Sequence, residues 1–291
     1  MDIALLVPLA APFATTEFLE VLGTRAEQCE FNALWVGEHV VVPNEWESLY
    51  PASDDGKIPG AIKKGELDPF TTLAYLAAIT DKIRLGVCCN VAQRNPVYTA
   101  KEAANVDWLS GGRLEFGAGV GWAKEEFEAC GMPFERRGTR ARTHLEIMRR
   151  LWQEPVTEYS DEFYKLPPSL LYPKPVQKPW LPIHCLGHSR AALQRVADFG
   201  HGFFPLDLEP EQLVEPLKFL DLLLAERGRN RNEITVSVTA SIANCSVEKI
   251  KRYRDVGVDR IVIMEFIDAL EQLEPTLEQA AEKLLMPARN I

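Results

Sequence analysis

Eight short apolar runs, each followed by an amphipathic stretch, constrain this chain more than any other feature. The runs fall at residues 3–7, 33–37, 83–89, 114–118, 182–186, 202–205, 234–238 and 260–264. The stretches between them carry apolar residues near helical spacing, as in Phe18, Leu19, Leu22, Ala26 and Cys29. Capping residues mark several helix starts. Thr15 or Thr16 opens the first; Asp68-Pro69 and Asn95-Pro96 place proline at the first helical position; Thr139 and Ser189 cap two more. Further helices are expected over 209–227, 247–256 and 277–285. Strands alternating with helices make right-handed βαβ units and a parallel sheet. Eight such units close into a (β/α)8 TIM barrel. A doubly wound open sheet is the competing arrangement, but it normally stops at about six strands.

Two stretches interrupt the rhythm. Residues 40–67, after the second strand, are rich in Pro, Gly, Asp and Lys and too long for a turn, so they read as a functional loop or lid. Residues 154–180, before the fifth strand, are broken by Pro155, Pro167, Pro168, Pro173, Pro175 and Pro179, with room for a short hairpin over 157–166. No linker divides the chain, so one barrel domain over 1–291 is expected.

The formal net charge is −10 and the pI about 5.2, with no dominant basic patch. Neither nucleic acid nor an anionic membrane surface is an expected partner. The N-terminus lacks a basic region and its apolar run breaks at Pro8, so no signal peptide or membrane span is expected. The six cysteines form no CxxC pair, which fits reduced thiols in the cytoplasm rather than disulfides or a zinc site.

In a barrel of this kind chemistry sits at the C-terminal strand ends. That selects Pro8 and Leu9, Glu38 and His39, Cys88 to Asn90, Gly119 to Trp122, Gly187 to Ser189, Pro205 to Asp207, and Glu265. The set is mostly small or apolar, which suits a planar organic cofactor better than a metal. Histidine titrates near neutrality, so His39 is the candidate proton donor or acceptor, with Glu38 orienting it. Gly111 and Gly112 end a helix, and Gly117, Gly119 and Gly121 leave a backbone on which a flat ligand can lie. Gly187-His188-Ser189 opens a helix beside Arg190. It reads either as an ordinary serine cap or as a phosphate site, with the amides of Ala191 and Ala192 free.

Blander readings hold elsewhere. Cys88 and Cys89 are small buried side chains, Asp68 is a cap, and Glu125 and Glu126 decorate a helix start. Arg136, Arg137, Arg140 and Arg142 form a solvated face. A metal hydrolase would need several ligands at strand ends. Of the five histidines, His144 and His184 fall inside elements and no HxH pair follows the first strand, so no metal site is expected. A non-catalytic flavin-binding barrel remains a further alternative.

Several motifs together carry a resemblance. They are Gly37-Glu38-His39, Asp68-Pro69-Phe70, Gln93-Arg94-Asn95-Pro96, Ser110-Gly111-Gly112-Arg113, Gly117-Ala118-Gly119-Val120-Gly121-Trp122 and Gly187-His188-Ser189. In this order the chain resembles the bacterial luciferase-like monooxygenase superfamily over roughly residues 1–265, and is most similar to its F420-dependent oxidoreductases. The resemblance implies a barrel binding the deazaflavin F420, or alternatively FMN, at the strand C-termini. His39 matches the histidine near the reactive ring. Val87, Cys88 and Asn90 match the strand end beneath it, where the family often has a non-proline cis peptide. Gly119, Val120 and Gly121 match the backbone beside the cofactor, and Gly187, His188 and Ser189 the phosphate turn. The activity implied is hydride transfer to or from a small organic substrate. With FMN it would be a two-component monooxygenase using O₂ and a flavin reductase partner. A homodimer is implied as well. The sequence departs from its relatives at Val120, where luciferase has a phosphate-binding arginine. It departs again at Trp122, where F420-dependent sugar-phosphate dehydrogenases have a catalytic glutamate.

Overall fold

The computed structural model of the chain describes residues 1–7, 9–10, 14–51, 55–57, 60, 62–267 and 269–291. In its first half β1 (Asp2–Leu6), α1 (Thr16–Gln28), β2 (Ala33–Val36), α2 (Pro69–Ile79), β3 (Arg84–Asn90), α3 (Pro96–Leu109) and β4 (Leu114–Gly119) alternate. Two helices follow, α4 (Lys124–Ala129) and α5 (Arg137–Gln153), then an antiparallel hairpin of β5 (Thr157–Ser160) and β6 (Lys165–Ser169). The alternation resumes with β7 (Ile183–Leu186), α6 (Arg190–Phe199), β8 (Gly202–Phe204), α7 (Pro210–Glu226), β9 (Thr235–Ala240), α8 (Val247–Asp255), β10 (Arg260–Met264) and α9 (Leu270–Ala280).

Eight strands close into a parallel barrel in the order β1-β10-β9-β8-β7-β4-β3-β2. β4 pairs directly with β7, Phe116 opposite Ile183, which leaves the β5–β6 hairpin outside the barrel. β1 and β10 complete the ring, Ile3 opposite Ile261. This is the (β/α)8 barrel that the sequence rhythm predicts, with insertions after β2 and before β7. Among the described residues no helix is long and apolar enough to cross a membrane.

Alternation along each strand separates two cores. On β3, Val87 and Cys89 join the large layer between barrel and helices, while Cys88 joins the barrel interior. The interior is organised by Trp35 of β2, which meets Phe204 edge-on at 5.1 Å and His184 at 5.5 Å. Its bulk explains Gly86 on the neighbouring strand: a Cβ there would lie 2.2 Å from the indole. A Cβ at Gly202 would lie 1.9 Å from His184 Nδ1. Also within the barrel, Glu115 of β4 receives Arg260 at 2.6 Å, His184 at 3.2 Å and Arg84. Glu115, His184 and Arg260 are all buried. Burial favours the protonated acid at Glu115, but His184, Arg260 and Arg84 outweigh it and hold the carboxyl well below the ordinary range.

The helix starts follow local chemistry, with exceptions. Thr15, rather than Thr16, caps α1 through Phe18 N–H; Asp68 accepts from Thr71 N–H, Asn95 from Val97 N–H and Ser189 from Ala192 N–H. Thr139 is not a cap. It lies inside α5, whose N-cap is Arg136 in the left-handed region at φ 56°, its guanidinium held by Glu162 at 2.6 Å. The helix expected over 277–285 begins earlier, at Leu270, with Pro275 inside it, and a π-helical stretch, Ala281–Leu285, follows. Arg140 does not belong to a solvated face. It is buried and donates to the carbonyls of Ala92, Pro133 and Glu135, fastening the start of α5 to the turns beside it.

Candidate active site

The C-terminal strand ends enclose a cavity whose floor is apolar. Leu6, Cys88, Leu186 and Met264 come from four barrel strands, with Asn90 and Thr239 at the rim. Tyr50, Pro51, Ile62 and Glu66 of the 40–67 connection form one wall; Trp122, Leu206, Asp207 and Phe266 complete it. Of that connection, Ala52, Ser53, Asp54, Ile58, Pro59 and Ala61 lie outside the described residues, as does Pro8 among the strand-end candidates.

His39 and Glu38 follow β2 directly, and both line the cavity. Their side chains part company. Glu38 is buried, accepts the Asn90 N–H at 2.6 Å and pairs with Arg94, which also pairs with Glu102. Burial raises the Glu38 carboxyl against the pull of Arg94. The expected Glu38–His39 orienting contact is therefore replaced: the Glu38 carboxylate is occupied in tying β2 to β3 and α3. His39 is oriented instead by Glu126 of α4, whose Oε2 lies 3.2 Å from His39 Nδ1 and whose Oε1 accepts the Val40 N–H at 2.7 Å. Burial opposes the imidazolium, yet the hydrogen bond and charge of Glu126 prevail and raise the His39 pKa. With Nδ1–H donated to Glu126, Nε2 is left for a ligand.

Glu125 and Glu126 are thus not decoration. Glu125 accepts the N–H groups of Glu47 and Ser48 at 2.6 and 2.9 Å, and the two acids together anchor the 40–67 wall to α4. Above His39 lies an aromatic group. Trp122 is edge-on to His39 at 5.8 Å and to Tyr50 at 5.3 Å, and stacks on Trp46 at 5.1 Å and 17°.

The remaining candidates divide. Cys88 and Asn90 line the cavity, whereas Val87 is fully buried toward the helices. Burial pushes the Cys88 thiol up to about 12, so it stays protonated. Gly119, Val120 and Gly121 do not line the cavity. Val120 packs against the helix-facing core, and the space beside Gly121 is filled by Phe127. Leu186 lines the cavity, and Gly187 then turns the chain at φ +88°. His188 points to an outer groove shared with Arg190, Lys218 and Phe219. Ser189 caps α6 through Ala192 N–H, so Ala192 is not available to an anion and the free amides move back to the first turn before it. Glu265 accepts the Ile242 N–H rather than facing the cavity.

Among the described residues the cis peptides are Tyr172–Pro173 and Lys178–Pro179, so the non-proline cis bond implied near Cys88 is not found. Nor, among them, does any group of three or more His, Cys, Asp and Glu stand ready to hold a metal.

Sequence reasoning missed Glu66. Its Oε2 is shut off from solvent without a hydrogen-bond partner, and a Cβ at Gly37 would lie 3.3 Å from it. Burial raises its pKa, His39 opposes that, and Glu126 and Glu38 reinforce it. Nothing around Glu66 in the sequence distinguishes it from a solvated loop acid.

Comparison with known proteins agrees with this architecture. A family model described as luciferase-like monooxygenase matches residues 9–282. An uncharacterized protein of Mycobacterium tuberculosis is 30% identical over 263 residues, which are 89% of this chain and 91% of that protein. Monooxygenase RslO1 from Streptomyces bottropensis superposes with a TM-score of 0.80 at 20% identity, covering 98% of this chain and 99% of that one. The coenzyme F420-dependent tetrahydromethanopterin reductase from Methanopyrus kandleri superposes with a TM-score of 0.77 at 18% identity and the same coverage. At these identities the structural likeness is one of fold.

Proposed function

The chain belongs to the luciferase-like monooxygenase family, and we propose that within it the chain transfers a hydride between F420 and a small organic substrate. The observation that carries the reading is His39, fixed through Nδ1 by Glu126 and turned toward a cavity with an apolar floor. A flat conjugated ring would suit that floor, where four strands bring Leu6, Cys88, Leu186 and Met264 together, with Asn90 and Thr239 at the rim. Cys88 and Asn90 would sit against the ring. The turn at Gly187, where a Cβ would meet nothing within 4 Å, and the first amides of α6 would hold its phosphate. Bound there, F420 supplies two-electron hydride chemistry.

The protein's own part is the proton. Moving a hydride to or from a carbon that bears oxygen or nitrogen requires a proton at the heteroatom, and His39 Nε2 is placed to give or take it. The aromatic group of Trp46, Trp122 and Tyr50 shields that exchange from water. Val120 supports F420 over FMN. It packs against the core, so position 120 lacks the arginine that the resemblance places there in luciferase.

His39→Ala in single-turnover oxidation of the reduced cofactor tests the assignment. The rate should fall at least roughly 100-fold, the usual scale of acid–base catalysis, with cofactor still bound. An unchanged rate removes His39 from the mechanism.

A further inference from the structure

Among the described residues, the ionisable groups facing the chamber are all engaged except one. Glu38 has Arg94 and His39 has Glu126. Tyr50 and Cys88 are held protonated, each pushed up to about 12 by burial. Asp207 is engaged in an interaction of its own. Glu66 lines the chamber, and its Oε2, shut off from solvent beside Gly37, accepts no hydrogen bond. A half-buried carboxylate with one oxygen so placed calls for a charge or a donor from outside the protein.

The walls decide which kind of group answers it. Among the described residues no Lys or Arg lines the chamber; His39 is the group there that acts on Glu66 as a cation, and it is already paired with Glu126. Glu66 acts electrostatically on both Tyr50 and His39, so it stands within reach of the aromatic wall. Tyr50 and Trp122 form that wall with rings 5.3 Å apart, and Trp46 backs Trp122 at 5.1 Å. Aromatic faces joined to a carboxylate attract a cationic nitrogen.

We propose that the chamber takes a substrate carrying a cationic nitrogen, an ammonium or iminium group, with Glu66 as counter-ion and Trp122 and Tyr50 as its aromatic wall. The inference rests on the oxidoreductase reading only in naming this ligand the substrate. It assigns Glu66 a binding role separate from the proton exchange at His39. Carboxylates and phosphates of similar shape are rejected by the same charge.

Tryptophan fluorescence tests it directly, since Trp122 lines the chamber. The full chain and its Glu66→Gln variant are titrated with benzylamine, benzyl alcohol and benzoate near pH 7.5, where the amine is about fully protonated. Wild type should bind benzylamine roughly tenfold or more tighter than benzyl alcohol, and benzoate least of all. The preference should persist in high salt, which removes general attraction of cations to an acidic protein. Glu66→Gln should bring amine and alcohol within about threefold of each other while alcohol binding is retained.

Equal binding of amine and alcohol to wild type, no saturable amine binding, or an amine preference that survives Glu66→Gln overturns the proposal. F420 and FMN binding is measured on the same samples. Amine preference without cofactor binding sinks the redox reading and leaves this one. Cofactor binding without amine preference does the reverse.

Discussion

His39 and Glu66 illustrate how much a single side chain's meaning depends on its neighbours. The His39 pKa is raised, so the stability of its pairing with Glu126 is fully present below the ordinary histidine value and is lost as pH rises through the folded one. An NMR titration of His39 should therefore show a midpoint above about 6.5. In Glu126→Gln burial should dominate and carry the midpoint below that value. A midpoint indifferent to Glu126→Gln contradicts the pairing. Glu66 is also raised, but by burial without a partner, so it weighs against the fold once ionised. Glu66→Gln should stabilise by about 1 kcal/mol, a rise of roughly 2–4 °C in Tm at pH 7.5. The gain should shrink on acidification, and a fall in Tm would reveal a partner for the carboxylate. Only part of this was legible in the sequence. The place of His39 at the cavity was visible because it follows a strand end before a long loop. Glu126 and Glu66 were not, because their roles depend on where α4 and the 40–67 connection come to lie.

Among elements, the strands carry a constraint that their apolar pattern hides. Glu115 sits in a buried run of β4 and is tolerated because β3, β7 and β10 each bring a partner, Arg84, His184 and Arg260. Glu115→Gln should cost about 3–5 kcal/mol, since it strands buried cationic partners. Because the Glu115 carboxyl is held low, its stabilisation is present above the ordinary carboxylate range and is lost as pH falls through the folded value. Tm of the wild type should drop steeply in acid, below about pH 4.3, and the variant should show a flatter acid limb. Parallel acid limbs would show that the cluster does not govern acid stability. Gly202→Ala drives a methyl into His184 and should cost about 3 kcal/mol or prevent folding; a Tm near wild type contradicts that packing. Helix starts were legible where side chain and proline agree, as at Asp68-Pro69 and Asn95-Pro96. Thr139 misled, because a left-handed residue, Arg136, starts α5 without a side-chain cap.

On the scale of the whole molecule the βα rhythm sufficed to specify a barrel, since eight strand–helix units have one common way to close. What it left open was the occupant of the cavity. An apolar floor from four strands, a histidine held by Glu126 at the rim and a wall fastened by Glu125 and Glu126 are the parts that the proposed redox site would use. F420 is the proposed occupant. Its most direct test is fluorescence titration of the purified chain with oxidised F420 and, separately, with FMN. Saturable F420 binding at roughly micromolar affinity or tighter, without comparable FMN binding, is the result predicted. Tight binding of FMN with none of F420, or binding of neither, contradicts it.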